Sequence, residues 1–251
     1  MQEPNTWKNV KTHYIEVLKN PWYKQLALLE NIVTKATTEF YANKNIITMH
    51  FPFTTGSISS PMGRGSDSLP VKVNLEGQEV YLADSMQFLL EYGCRLFENG
   101  CYYIMPSFRG EKADERHLCQ FYHSEVEIPG KLEDIMNLAE EYVKYLSKII
   151  LEEMEEELVE NVGDVEHIKR VANYDFKFNK ITFDEAESVL KEGFKEKINE
   201  YIEYNDGWRN ITKKAEKELI KIYNGPIWIT NYDELAVPFY QKEDNKHKRN
   251  N

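Results

Sequence analysis

Between Tyr102 and Ile128 the sequence tells the chain to turn back on itself. Tyr102-Tyr103-Ile104-Met105 reads as a strand leading into Phe108-Arg109-Gly110-Glu111. After a charged loop, Phe121, His123, Glu125 and Glu127 alternate with Tyr122, Ser124, Val126 and Ile128. A period of two over such a run marks a strand with two unlike faces. Two such runs about a polar loop predict a paired ribbon, and a ribbon needs an apolar layer against it to be stable.

Helical patterns flank this pair. From Pro21 to Ala42, Trp22, Leu26, Leu29, Ile32, Val33 and Ala36 recur at three and four, and Pro21 suits a first turn. Ser85 has the character of an N-cap for a helix through Met86, Phe88, Leu89, Tyr92 and Leu96. Asn45 to Pro52 reads as a strand stopped by proline, and Thr54 to Pro70, rich in Ser, Gly and Thr, as a loop. Glu76-Gly77-Gln78 has a hairpin's character between two short β-type runs. Helix is expected to dominate from Leu132, with Thr182 capping a later helix and another over Thr212 to Tyr223. Ile227-Trp228-Ile229-Thr230, behind Gly225-Pro226, reads as a buried strand. The expected architecture is therefore α+β, an antiparallel sheet flanked by helices.

Composition excludes several classes. With 41% hydrophobic and 13% aromatic residues the chain can bury a sizeable core. A net charge of −11 argues against a general nucleic-acid sleeve, though a local basic pocket for phosphates remains compatible. No run approaches the roughly 18 apolar residues of a membrane span, so no membrane partner is expected. The opening Met1 to Asn5 lacks the apolar core of a leader, and Cys94, Cys101 and Cys119 form no C-x-x-C pair. Reduced thiols and a cytoplasmic location are the expectation, with no protein-held metal site assigned. The acidic run Glu152 to Glu157, broken by Met154, reads as a solvated helix face.

The chemistry concentrates in Phe108 to Phe121. Two arginines, a histidine and a glutamate sit between strands, and an aromatic opens the return strand. Arginine holds phosphate or carboxylate through a planar fork, an aromatic face takes a base, and a carboxylate accepts an exocyclic amine. On residue types alone, a nucleotide site and a hairpin with ordinary surface ion pairs stay open side by side.

The pattern F-R-x-E, a short loop, R-H-L, then x-x-F and E-x-E resembles motif 2 of class II aminoacyl-tRNA synthetases, in the form of the aspartyl/asparaginyl (D/K/N) subgroup, and the chain is asparaginyl-tRNA synthetase-like. Asn45 to Pro52 is similar to a degraded motif 1, with Asn45 in place of a glycine. Tyr81 to Gln87 resembles the subgroup's Y-L-x-Q-S-P-Q, keeping Ser85 and Gln87 and departing at Asp84 and Met86. Ile181 to Ala186, Gly225 to Thr230 and Pro238-Phe239-Tyr240 match downstream features, so the likeness runs from about Leu26 to Tyr240.

The resemblance implies a class II core in which Arg109 contacts the α-phosphate of ATP and the amino-acid carboxylate, making it the catalytic residue. It implies that Glu111 reads the adenine amine, that Arg116 and His117 hold the distal phosphates, and that Phe121 stacks on adenine. Ser85 and Gln87 are implied to bind the amino acid, while Glu125 and Glu127 match the closing carboxylates. ATP and Mg2+ are the implied cofactors, with the protein ligands of Mg2+ unidentified. The family's anticodon barrel and motif 3 are not found, so a C-terminally incomplete core is expected. Its organisation is then a 1–20 extension, a 21–240 catalytic core with a helical stretch at about 132–223, and a charged 241–251 tail.

The expected function is ATP-dependent activation of aspartate, asparagine or an analogue as an aminoacyl-adenylate. Three explanations of the missing motif 3 stay open side by side: a split enzyme whose partner chain supplies it, as homodimer or heteromer, a paralogue that binds ATP or an adenylate without full catalysis, and a truncated product; tRNA is one candidate acceptor. The alternatives are a non-catalytic nucleotide-binding or interaction subunit, and an amide ligase acting on a small molecule or peptide.

Overall fold

The computed structural model describes residues 8–59, 64, 66, 68–114, 117–244 and 249–250. In chain order the first elements are α1 (Val10–Lys19), α2 (Pro21–Asn43), β1 (Ile47–Thr48), β2 (Thr54–Thr55), β3 (Val71–Leu75) and β4 (Gln78–Leu82). Then come α3 (Gln87–Cys94), β5 (Cys101–Phe108), β6 (Gln120–Glu127), α4 (Leu132–Val162) and α5 (Glu166–Ala172). The last third holds β7 (Asn179–Thr182), α6 (Phe183–Phe194), β8 (Ile202–Asn205), β9 (Trp208–Ile211), α7 (Lys213–Ile222), β10 (Ile227–Thr230) and β11 (Tyr232–Asp233).

The chain divides into two interleaved units, Met1–Ile46 with Glu133–Lys177, and Ile47–Leu132 with Phe178–Asn251. The first unit is helical. Pro21 opens α2 and the Asn20 side chain accepts from Trp22 N at 3.0 Å, satisfying one of the free donors of a helix start. The apolar stripe of α2 buries Ile32, Ala36, Phe40 and Tyr41. Facing α4, Tyr41 stacks on Tyr142 with centroids 5.3 Å apart, and Thr37 Oγ lies 2.7 Å from the Tyr142 hydroxyl. Helix α4 breaks its geometry at buried Met154, while Glu152, Glu153 and Glu156 stay exposed. Asn45, standing where the motif has glycine, takes φ 55°. Asparagine is among the few side-chain-bearing residues that tolerate this left-handed turn, so the replacement keeps the backbone bend.

In the second unit β5 is the centre of a three-stranded sheet, parallel to β1 and antiparallel to β6. The register sets Tyr103 opposite Glu125, Met105 opposite His123 and Ser107 opposite Phe121. Beneath it Ala83, Met86, Leu90, Cys101, Tyr103 and Met105 form one core, with Met49, Phe51, Leu89 and Phe97 packed around. The sheet β2-β4-β3 is antiparallel, and β3 and β4 are joined by Glu76 (φ 50°) and Gly77 (φ 83°), a two-residue turn whose twist suits a hairpin.

A second core joins Phe183, Ala186, Leu190, Ile202, Ile211, Ala215 and Leu219. Strand β7 runs parallel to β10, and α6 starts from a capping box in which Thr182 and Glu185 each satisfy the other's backbone N–H. The stretch 132–223, expected to be helical, also carries β7 and the hairpin β8–β9. That hairpin turns at Asp206-Gly207, with Gly207 at φ 80°. Asp-Gly between β-type residues is a strong local turn signal, and it overrides the surrounding helix formers. The sheets thus include parallel pairs beside the expected antiparallel ones.

Candidate functional site

The second unit carries a cavity of about 220 Å³ lined by Ser59, Ser66, Asp84, Ser85, Gln87, Arg109, His123, Glu125, Pro238 and Tyr240. Arg109 enters it directly from the end of β5. Its backbone N donates to Cys119 O at 2.9 Å, which closes the base of the motif loop. Its guanidinium lies over the Phe121 ring, 6.0 Å from the centroid, within reach of a cation–π attraction. Its Nε is buried and has no hydrogen-bond partner. A buried charged donor left unpaired is costly, which makes Arg109 a candidate for holding an anion.

Beside the cavity residues Ser85 and Glu125, three segments of chain converge on one phenol. Tyr103, fully buried on β5, contacts Glu125 of β6 through its hydroxyl and accepts from Met86 N at 3.0 Å. Ser85 Oγ donates to the Glu125 carboxylate, at 2.7 and 2.8 Å from its two oxygens, and accepts from Gln87 N at 3.0 Å. Helix α3 therefore starts at Gln87, with Ser85 serving its first free N–H. Burial, then the neighbouring Glu125, pushes the Tyr103 phenol far above its ordinary range, so it stays a donor. Glu127 is pushed up to about 7, first by burial and then by Glu91 and Glu125. Burial and the carboxylates Asp84, Glu125 and Glu91 likewise raise Tyr240, which bonds Gln87.

Asp84 is 2% exposed and accepts from Ser59 N at 3.2 Å and Ser59 Oγ at 2.9 Å. His123 Nδ1 sits 3.2 Å from Ser107 Oγ, and its ring packs edge-on against Phe121 and Tyr103.

Of the residues singled out in the sequence, Asp84, Ser85, Gln87, Arg109, Glu125, Pro238 and Tyr240 line the cavity, and Phe121 lies beneath the Arg109 guanidinium. Glu111 points elsewhere: its Oε2 accepts from Leu69 N at 2.9 Å. Beside it Gly110 N donates to Leu69 O at 2.7 Å, so close that a Cβ at Gly110 would sit 3.1 Å from two carbonyl oxygens. His117 is exposed and held by Asp114, Nδ1 to Oδ1 at 2.8 Å, with Lys213 on the other Asp114 oxygen. Arg116 lies outside the described residues. Sequence reasoning missed Tyr103, His123 and Ser59, and took Tyr240 only as a downstream feature. Drawing the β5–β6 register would have set Tyr103 against Glu125.

The unpartnered Arg109 Nε and the Phe121 ring suit a nucleotide's phosphate and base. Magnesium is less well provided for: among the described residues no group of three or more His, Cys, Asp or Glu side chains is placed to hold a metal ion.

The family model of the tRNA synthetases class II (D, K and N) matches residues 6–251. The chain belongs to this family. Among curated relatives, the asparagine–tRNA ligase of Alkaliphilus metalliredigens is 27% identical over 244 residues, covering 87% of this chain and 51% of the relative. That of Desulfitobacterium hafniense is 29% identical, with 88% and 51% covered. The chain thus spans about half the length of the curated relatives it matches. The asparaginyl-tRNA synthetase of Pyrococcus horikoshii, solved with asparaginyl-adenylate, superposes with a TM-score of 0.79 at 23% identity, covering 93% of this chain and 50% of that one. This likeness shows the fold, that of a class II synthetase core. No helix among the described residues is long and apolar enough to cross a membrane.

Proposed function

We propose that this chain supplies the ATP- and amino-acid-binding part of a ligase of the asparaginyl-tRNA synthetase type, which activates a small amino acid as its adenylate. The supporting observation is the buried, unpartnered Nε of Arg109 in a cavity shared with Ser85 and Gln87. In this reading the amino-acid carboxylate attacks the α-phosphorus in line, the bond to the leaving oxygen breaks, and pyrophosphate departs with the electron pair. Arg109 binds the α-phosphate and carboxylate together, neutralising charge as it builds, which is where an enzyme gains most. Phe121 offers its ring to the adenine, and Ser85 and Gln87 orient the amino acid. Arg116 and His117 hold the distal phosphates, and Glu111 reads the adenine amine after giving up Leu69 N.

The cavity is smaller than the roughly 300–1,000 Å³ of a drug-sized site, so it holds the amino acid while the nucleotide extends outward along Phe121. Full turnover, in this reading, needs the remaining half of the family's core, whether continuous with this chain or carried by a partner. The acceptor is tRNA or a small amine. The test is amino-acid-dependent ATP–pyrophosphate exchange, run with the chain alone and with proteins co-expressed from neighbouring genes. Arg109→Ala is expected to abolish ATP binding by calorimetry. Unchanged binding in that variant would overturn the assignment.

A further inference from the structure

Two hydroxyls tie the start of α3 to one carboxylate of the cavity. Met86 N donates to the Tyr103 hydroxyl at 3.0 Å, and that hydroxyl meets Glu125. One residue on, Gln87 N donates to Ser85 Oγ at 3.0 Å, and Ser85 Oγ lies 2.7 and 2.8 Å from the two Glu125 oxygens. The first N–H groups of a helix have no partner within it and mark its positive end, so each hydroxyl passes that polarity on to the carboxylate. Glu125 thus balances the start of α3 through two bridges.

The two hydroxyls differ in what they can reach. Ser85 lines the cavity, whereas Tyr103 is 1% exposed and belongs to the core beneath β5. Its ring is pinned edge-on by Phe51, with centroids 5.8 Å apart, and by His123. Burial first, then Glu125, holds its phenol protonated, so it remains a donor. A carboxylate offers about four lone-pair sites, so Glu125 keeps acceptor capacity after serving both hydroxyls. In the activation reading the ammonium of the amino acid uses that capacity, and how well it binds depends on where the carboxylate points.

We infer that Tyr103 is a positioning residue for the amino-acid side of the site: it locks Glu125 to the first turn of α3, so that Glu125 meets the ligand's ammonium and Gln87 faces the cavity in one fixed arrangement. This rests on the amino-acid-activating reading above and extends it to a residue of the core. Arg109 and Phe121, assigned there to the nucleotide, take no part in either bridge.

The experiment is calorimetric titration of the native chain and of Tyr103→Phe, which keeps the ring and removes the bridge. The probes are asparagine and aspartate, their counterparts without the ammonium (succinamate and succinate), and ATP. The amino acid that the native chain binds is expected to bind the variant about 10- to 100-fold more weakly, the worth of one hydrogen bond to a charged group. Its counterpart without the ammonium, and ATP, should stay within about 2-fold, because neither uses the group that Tyr103 positions. A merely structural Tyr103 would weaken all of these ligands together, or lower only the melting temperature. Amide hydrogen exchange on the native chain needs no variant: the amino acid should slow exchange at Met86 and Gln87, and its counterpart without the ammonium should leave it unchanged. Equal losses for the two compounds, unchanged amino-acid binding in a variant whose melt shows it folded, or no added protection at the two amides overturns the inference. A native chain that binds neither amino acid overturns the activation reading, and the inference falls with it.

Discussion

Replacing Glu127 with glutamine should stabilise the protein at pH 8 and leave it almost unchanged at pH 5. Glu127 ends β6 opposite Cys101, half-buried, and burial with Glu91 and Glu125 lifts its carboxyl to about 7 from an ordinary 4.5. Between those values the folded protein holds a proton that the unfolded chain has released. Stability therefore falls as pH rises through this window and levels off above about 7. The interval corresponds to roughly 3 kcal/mol at about 1.4 kcal/mol per tenfold. The carboxylate keeps some contact with water, and screening reduces the net effect to about 1–2 kcal/mol. Glutamine keeps the shape and removes the ionisation. Urea titrations at the two pH values should show the native chain weaker at pH 8 and the variant recovering that loss, about 3–6 °C if followed as a melting temperature. A native chain equally stable at both, or a variant no better at pH 8, would refute the argument.

Other residues make sharper structural claims. Arg209 donates to Asp233 through its backbone N and Nε (2.8 and 2.9 Å), reaches Glu187 at 2.8 Å and Asp184 at 3.1 Å, and lies over Phe183. Arg209→Ala should cost about 2–4 kcal/mol in chemical denaturation, since it removes the cation shared by partly buried carboxylates; a loss within about 0.5 kcal/mol, the range of ordinary surface substitutions, would contradict the network's role. Thr182→Ala opens the capping box of α6 and should cost about 1 kcal/mol by the same measurement, with no change counting against it. Among the thiols, exposed Cys119 should react with an aromatic disulfide reagent in the folded state. Cys101, pushed up to about 12 mainly by burial, should react only on unfolding, and equal rates would refute this.

Much of the frame was legible because its signals are local. Pro21 begins α2, Thr182 and Glu185 close a box three residues apart, and alternation marks β6. The β8–β9 hairpin was equally local, in Asp206-Gly207, but was submerged by charged helix formers on both sides. The site was legible only in part. Arg109, Ser85 and Gln87 belong to short motifs, whereas Tyr103 acquires its role from residues 17 and 22 positions away, Met86 and Glu125, that only strand register brings to it. Glu111 and His117 sit in the motif too, yet nearby groups, Leu69 N and Asp114, already occupy them.

The interleaving of the two units bears on how the chain reaches this state as it leaves the ribosome. Helix α2 emerges early, but the aromatic faces it stacks against belong to α4, and about ninety residues of the other unit must be made in between. The second unit waits in turn, because β7 and β10 follow the last helix of the first. Lengthening the intervening loop costs little extra entropy, since the closure penalty grows only with the logarithm of length. What lengthens is the time that Phe40 and Tyr41 spend without their partners, which makes the nascent chain, more than the finished fold, the form that a chaperone has most reason to hold.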